Sequence, residues 1–154
     1  MQGQPYEKRY KINSQKYLGF EKQAIKNFLF YINALTSDEK IVIDTTGSLI
    51  YLDKAIISAL KKFTTIVYLN TPTLIQKQMC QKYFKNPKPV IWGNSFKQKK
   101  GQSQLEALIE CYPKLLSFRS KRYKKYADIT IDYSLLKSKN FAVKKFINLI
   151  STQL

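Results

Sequence analysis

The chain offers few residue types able to do chemistry, and this narrows what it can do. It contains no histidine, so Ser–His–Asp and Cys–His catalysis and any His-bearing zinc site are excluded. The two cysteines, Cys80 and Cys111, lack Cys-x-x-Cys spacing and cannot alone supply a structural zinc site. Chemistry must rest on carboxylates, lysines, arginines, tyrosines, backbone amides or a ligand-borne metal. Arginines are scarce: Arg9, Arg119 and Arg122 stand among 27 basic residues, and the rest are lysines. Glycines fall at positions 3, 19, 47, 93 and 101, and none precedes a lysine. A Walker A loop demands Gly-x-x-x-x-Gly-Lys-Ser/Thr, because backbone amides wrap the phosphates while the lysine reaches the β and γ oxygens. That spacing occurs nowhere in the chain.

The net charge of +17 attracts polyanions, and nucleic acid is the obvious partner. The lysines, however, are spread along the whole chain and form no single stripe. They are read first as solvated surface, with a dedicated nucleic-acid face as the alternative. At 154 residues, with 44% hydrophobic and 14% aromatic content, the chain suits one globular domain with a core of its own. No apolar run reaches 18 residues, and the polar start MQGQPYEKRYK carries no signal-peptide pattern. The expectation is a cytoplasmic protein with no membrane partner.

The elements that must position any site follow from periodicity. Apolar residues at Tyr17, Phe20, Ala24, Phe28, Tyr31 and Leu35 mark an amphipathic helix over Gln15 to Leu35. Ile41-Val42-Ile43 reads as a short buried strand ended by Gly47. Asp53 to Lys62 reads as a helix and Thr65 to Leu69 as a second buried strand. Thr71-Pro72 opens a helix running to about Tyr83. Residues 84–103 cluster Pro87, Pro89, Gly93 and Gly101 with Lys97, Lys99 and Lys100, which predicts a mobile basic loop. Gln104 to Lys121 returns to helix, Ala127 to Asp132 alternates like a strand, and Ser138 can cap a last helix bearing Val143, Phe146, Ile147 and Ile150. Strands separated by helices predict an α/β domain, a three-layer parallel sheet with flanking helices.

Three stretches carry a resemblance. Ile41 to Ser48, TIVYLNTP over Thr65 to Pro72, and Arg119-Ser120-Lys121-Arg122-Tyr123 followed by Tyr126 to Asp132 are similar, in order and spacing, to segments of the shikimate kinases. The resemblance implies a P-loop kinase-like fold, incomplete at the N-terminus, with the family's first strand, phosphate loop and catalytic Asp segment upstream of Met1. It places Arg119 where the family holds a substrate carboxylate, a task for which a planar guanidinium fork is suited. Thr46, Gly47 and Ser48 stand at the family's substrate-facing turn. Lys88 stands where the family lid, here 84–103, supplies an arginine to the transferring phosphate. Asp44, ending the first strand, stands where Mg²⁺ is held. Glu21 matches the Glu of a family Phe-Arg-x-x-Glu segment, but Leu18 replaces its Arg. The plainer readings are a helix-end arginine, a strand-ending glycine, a solvated loop lysine, and a carboxylate that caps its own turn.

What this implies is a shikimate-kinase-like small-molecule kinase. ATP and Mg²⁺ would serve phosphoryl transfer to a hydroxyl of a small anionic metabolite. Lacking the phosphate loop, the chain is expected to be inactive alone. It would be completed by an N-terminal kinase fragment, be a non-catalytic anion- or partner-binding module, or be a lysine-rich nucleic-acid-binding protein.

Overall fold

A computed structural model describes residues 3–35, 41–137 and 141–153. Among them the chain is mostly helical. Helix α1 spans Tyr10–Ala34, α2 Lys54–Phe63, α3 Thr73–Lys85, α4 Gln104–Tyr126, α5 Tyr133–Leu136 and α6 Val143–Ser151, with a 3₁₀ turn at Leu49–Tyr51. The strands are β1, Val67–Asn70, and β2, Ile129–Asp132, paired parallel with Val67 opposite Ile129 and Asn70 opposite Asp132. The long crossover through α3 and α4 is what a parallel pair requires.

This corrects the three-layer parallel sheet. The sheet has two strands among the described residues. Ile41, Val42 and Ile43 form no strand and lie exposed, Val42 at 94%. A run of three β-branched residues becomes a strand only where a neighbour supplies ladder bonds and cover, and this run meets neither. Strand β2 buries Ile129 and Ile131 and exposes Thr130 and Asp132, so cover reaches one face, whereas a three-layer sheet buries both.

Helix packing supplies the core instead. Ile25 of α1 meets Leu49 and Leu52 of the turn region and Ile56, Ile57 and Leu60 of α2. A second cluster joins Tyr83 of α3, Trp92 of the 86–103 connection, and Leu108, Cys111, Tyr112 and Leu115 of α4. Helix α4 starts on a reciprocal cap. Ser103 Oγ accepts from the Glu106 amide at 3.3 Å and the Glu106 carboxylate accepts from the Ser103 amide at 2.8 Å. Pro113 removes one helical hydrogen bond, yet α4 continues because Tyr112 and Leu115 on either side of it are buried.

The 86–103 connection is not the free loop that its glycines, prolines and lysines predict. Trp92 is fully buried, its amide donates to Tyr10 Oη at 2.6 Å, and that hydroxyl donates to Val90 O at 3.1 Å. Lys99 Nζ pairs with Glu110 at 2.8 Å. Lys114, Lys99 and Gln102 together hold the Glu110 pKa down to about 2. The residue proposed to cap the last helix, Ser138, lies outside the described residues, and that helix begins at Val143.

At the head of β2, Asp128 Oδ2 accepts from the Ile66 amide at 2.9 Å and Oδ1 pairs with Lys61 Nζ at 2.5 Å. Desolvation opposes its charged form, but Lys61 and the Ile66 N–H outweigh it and the pKa falls below the usual 3.8. A depressed carboxylate stabilises the fold above its unfolded pKa and is lost as pH drops through the folded value. Asp128→Asn should therefore cost about 1 kcal/mol or less near neutral pH, and the difference from wild type should shrink as the pH falls below the usual 3.8 toward the lower folded value. Urea unfolding at both pH values checks this.

Candidate anion site at the Gly47 turn

Arg119 and Tyr123 lie four residues apart on α4, and so share one face of the helix. That face looks onto the 46–48 turn. A Cβ built on Gly47 would sit 3.0 Å from Arg119 Nη1 and 3.3 Å from Tyr123 Oη. The Tyr123 hydroxyl donates to Gly47 O at 2.6 Å. The glycine matters here for close approach and not for backbone conformation, since its φ is not positive and a Cβ would crowd the tips of both side chains. Arg119 is fixed from the other side by Nη2 donating to Ile91 O at 2.7 Å.

The turn itself is held by α1. Glu21 accepts from both Thr46 Oγ1 and Ser48 Oγ, the latter at 2.6 Å, with one carboxylate oxygen for each. Behind the guanidinium lie aromatic rings. Its Cζ is 5.9 Å from the Tyr51 ring centroid, Tyr51 stacks on Phe118, and Tyr123 stacks on Tyr68 at 5.2 Å. Gly93, at φ +56°, leaves room for the Tyr51 ring, which a Cβ there would meet at 2.7 Å.

Arg119 has no acidic partner among the described residues. No ion pair involves it among the described residues, and its Nε is buried without a hydrogen bond. A half-buried guanidinium of this kind keeps N–H donors of the type that pair with carboxylates and phosphates. The phenols around it are donors rather than bases. Burial raises the Tyr51, Tyr112 and Tyr123 pKa values, and Arg119, pulling the other way, does not reverse this. At neutral pH each keeps its proton.

The structure thus brings Arg119, Thr46, Gly47 and Ser48 together. It adds Tyr123, Glu21, Tyr51 and the Ile91 carbonyl. Tyr123 could have been found from its i+4 spacing to Arg119. The partnership of Glu21 with residues 25 and 27 positions away leaves no local signal. Lys88 is exposed and makes no hydrogen bond or ion pair among the described residues. Asp44 is exposed and lines an open groove of about 400 Å³ with Tyr17, Phe20, Glu21 and Phe28.

The residues present do not fit Mg²⁺-ATP. A phosphate cradle needs free, inward-pointing amides. In this turn the Ser48 amide donates to Thr46 Oγ1 at 3.2 Å and the Leu49 amide to Thr46 O at 3.3 Å. No group of three or more His, Cys, Asp or Glu among the described residues could hold a metal ion. No helix among them is long and apolar enough to cross a membrane.

Gly47→Ala should push against Arg119 Nη1 and the Tyr123 hydroxyl. With the arginine tip able to swing aside, the fold should survive with its melting temperature lowered by only a few degrees, about 1 kcal/mol. Anion affinity at Arg119, read by calorimetric titration, should fall about fivefold or more, because the displaced guanidinium loses its aim.

The chain matches no family model, and the searches of curated proteins and solved structures found no match.

Proposed function

We propose that this chain is a non-catalytic binding module for a small anion, a carboxylate or phosphate, taken by Arg119 beside the Gly47 turn. One observation carries the reading: the half-buried Arg119 guanidinium is matched to none of the acidic side chains among the described residues and faces a turn whose glycine leaves room for its approach. The two N–H groups of Nη1 supply donors toward the ligand while Nη2 stays on Ile91 O. Thr46 and Ser48 hydroxyls, oriented by Glu21, border the same turn and suit a ligand that carries hydroxyls of its own. The likeness to shikimate kinases makes small hydroxylated carboxylates the first ligands to try. Phosphoryl transfer is no part of this proposal, since the Ser48 and Leu49 amides are already bonded within the turn. Two free thiols, Cys80 and Cys111, suit a reducing compartment such as the cytoplasm.

The test is titration with inorganic phosphate, malonate and shikimate, followed by calorimetry and amide NMR. Binding should perturb the Thr46, Gly47 and Ser48 amides. Arg119→Lys keeps the charge but loses the fork, and should weaken binding about tenfold, or 1.4 kcal/mol. Arg122→Lys should change it little, because Arg122 is engaged elsewhere, with Tyr126 Oη at 2.7 Å and the Phe118 ring. Equal effects of the two substitutions would refute the proposal.

A further inference from the structure

Helix α6, Val143–Ser151, is amphipathic yet buries none of its residues. At 100° per residue Val143, Phe146, Ile147 and Ile150 fall on one face, and Lys144, Lys145, Asn148 and Ser151 on the other. Val143 is 75% exposed and Ile147 54%. Phe141 packs edge-on against Phe146 at 6.2 Å and extends the apolar face. A nine-residue helix is marginal in water on its own, so a stripe of this kind calls for a cover.

Charge says what the cover is. Residues 133–154 hold four lysines, Lys137, Lys139, Lys144 and Lys145, and no carboxylate side chain. A second copy would bring the same positive segment, on a chain of net charge +17, against the first. A nucleic acid would satisfy the lysines and leave the apolar stripe in water. A bilayer with anionic headgroups satisfies both, with acyl chains for Val143, Ile147 and Ile150 and phosphates or carboxylates for the lysines. At about 14 Å the helix is far too short to cross the roughly 30 Å hydrocarbon core, so it lies in the interface plane.

We propose that α6 docks this protein on anionic phospholipid surfaces, with Val143, Phe146, Ile147 and Ile150 inserted and Lys144 and Lys145 at headgroup level.

The experiment is co-sedimentation of the full chain with vesicles of phosphatidylcholine alone or mixed with phosphatidylserine. Wild type should partition to the mixed vesicles at least about tenfold more strongly than to the neutral ones. Each lysine near an anionic surface adds about fivefold, so Lys144→Gln with Lys145→Gln should lose about twentyfold. Ile147→Asp should lose about tenfold or more, with the melting temperature little changed, because neither core cluster includes a residue of α6. Binding of the Ile147→Asp protein equal to wild type would overturn the proposal, since the lysines alone would then be adsorbing. So would equal partition to neutral vesicles. A duplex RNA bound more tightly than the mixed vesicles, and lost with the same lysines but not with Ile147, would replace it with the nucleic-acid alternative.

Discussion

Arg119→Ala should abolish measurable binding of small carboxylates and phosphate. The guanidinium is the cation at the Gly47 turn, and charge-assisted hydrogen bonds of this kind contribute about 1.5–3 kcal/mol each. Losing two of them weakens binding by about a hundredfold or more. The same substitution frees Ile91 O, which accepts from Nη2 at 2.7 Å, and removes the cation facing the Tyr51 ring. A stability loss of about 1–3 kcal/mol should accompany the binding loss. Arg119→Lys separates the two effects. Its charge remains, its fork is gone, and binding should fall only about tenfold. Calorimetric titration of both variants, set beside urea unfolding, gives the comparison. An alanine variant that binds as wild type does would place the anion elsewhere.

Trp92→Ala should be the most destabilising single change in the molecule, at about 3–5 kcal/mol. The indole is fully buried, and the rings of Phe96, Tyr112 and Tyr83 surround it at centroid distances of 5.4, 5.9 and 6.2 Å. Nothing nearby can collapse into the space, because Tyr83 and Tyr112 are themselves stacked at 3.9 Å and 5°. For a chain of this size the melting temperature should drop by about 10 °C or more. Trp92 also follows Ile91, whose carbonyl anchors Arg119, so the variant should bind anions more weakly even where it remains folded. Trp92→Phe keeps most of the packing and should lose less than half as much on both counts. A thermal scan by circular dichroism, with titration below the transition, reads both. If Trp92→Ala melted within a few degrees of wild type, the 86–103 connection would not be the anchored segment described above.

Residues 84–103 show why the sequence was misleading there. Pro87, Pro89, Gly93 and Gly101 with Lys97, Lys99 and Lys100 carry the composition of a free loop, and the segment has no regular element between Asn86 and Ser103. Yet the same stretch holds Val90, Ile91, Trp92 and Phe96, which reach into the core next to α3 and α4. Glycines and prolines report on backbone conformation, and burial is decided by what the side chains find. The helices fared differently. The segments predicted at Gln15–Leu35, Asp53–Lys62, Thr71–Tyr83 and Gln104–Lys121 are helical, with boundaries shifted by a few residues. The apolar stripe repeats over several turns in the longest of them, and terminal turns depend on local contacts.

Ile41-Val42-Ile43 and Thr65 to Leu69 looked alike as sequence, yet only the second became a strand, as Val67–Asn70. The difference is non-local. Val67 to Asn70 have Ile129 to Asp132 to pair with, some sixty residues away, while Ile41 to Ile43 have no ladder partner among the described residues. The long helices, the lack of histidine chemistry and of a Walker A spacing, and the pairing of a scarce arginine, Arg119, with a turn-forming Gly47 are all legible along the chain. Tertiary structure alone decided the rest: a two-stranded sheet in place of a three-layer one, a buried Trp92 in a segment of loop-like composition, and a turn at Thr46 to Ser48 tied to Glu21 and faced by Arg119 and Tyr123. Helical periodicity is a property of neighbours three and four residues apart and can be read along the chain. Strand pairing and the meeting of α1, the Gly47 turn and α4 join residues 25 to 76 positions apart, and the chain must fold before those contacts exist.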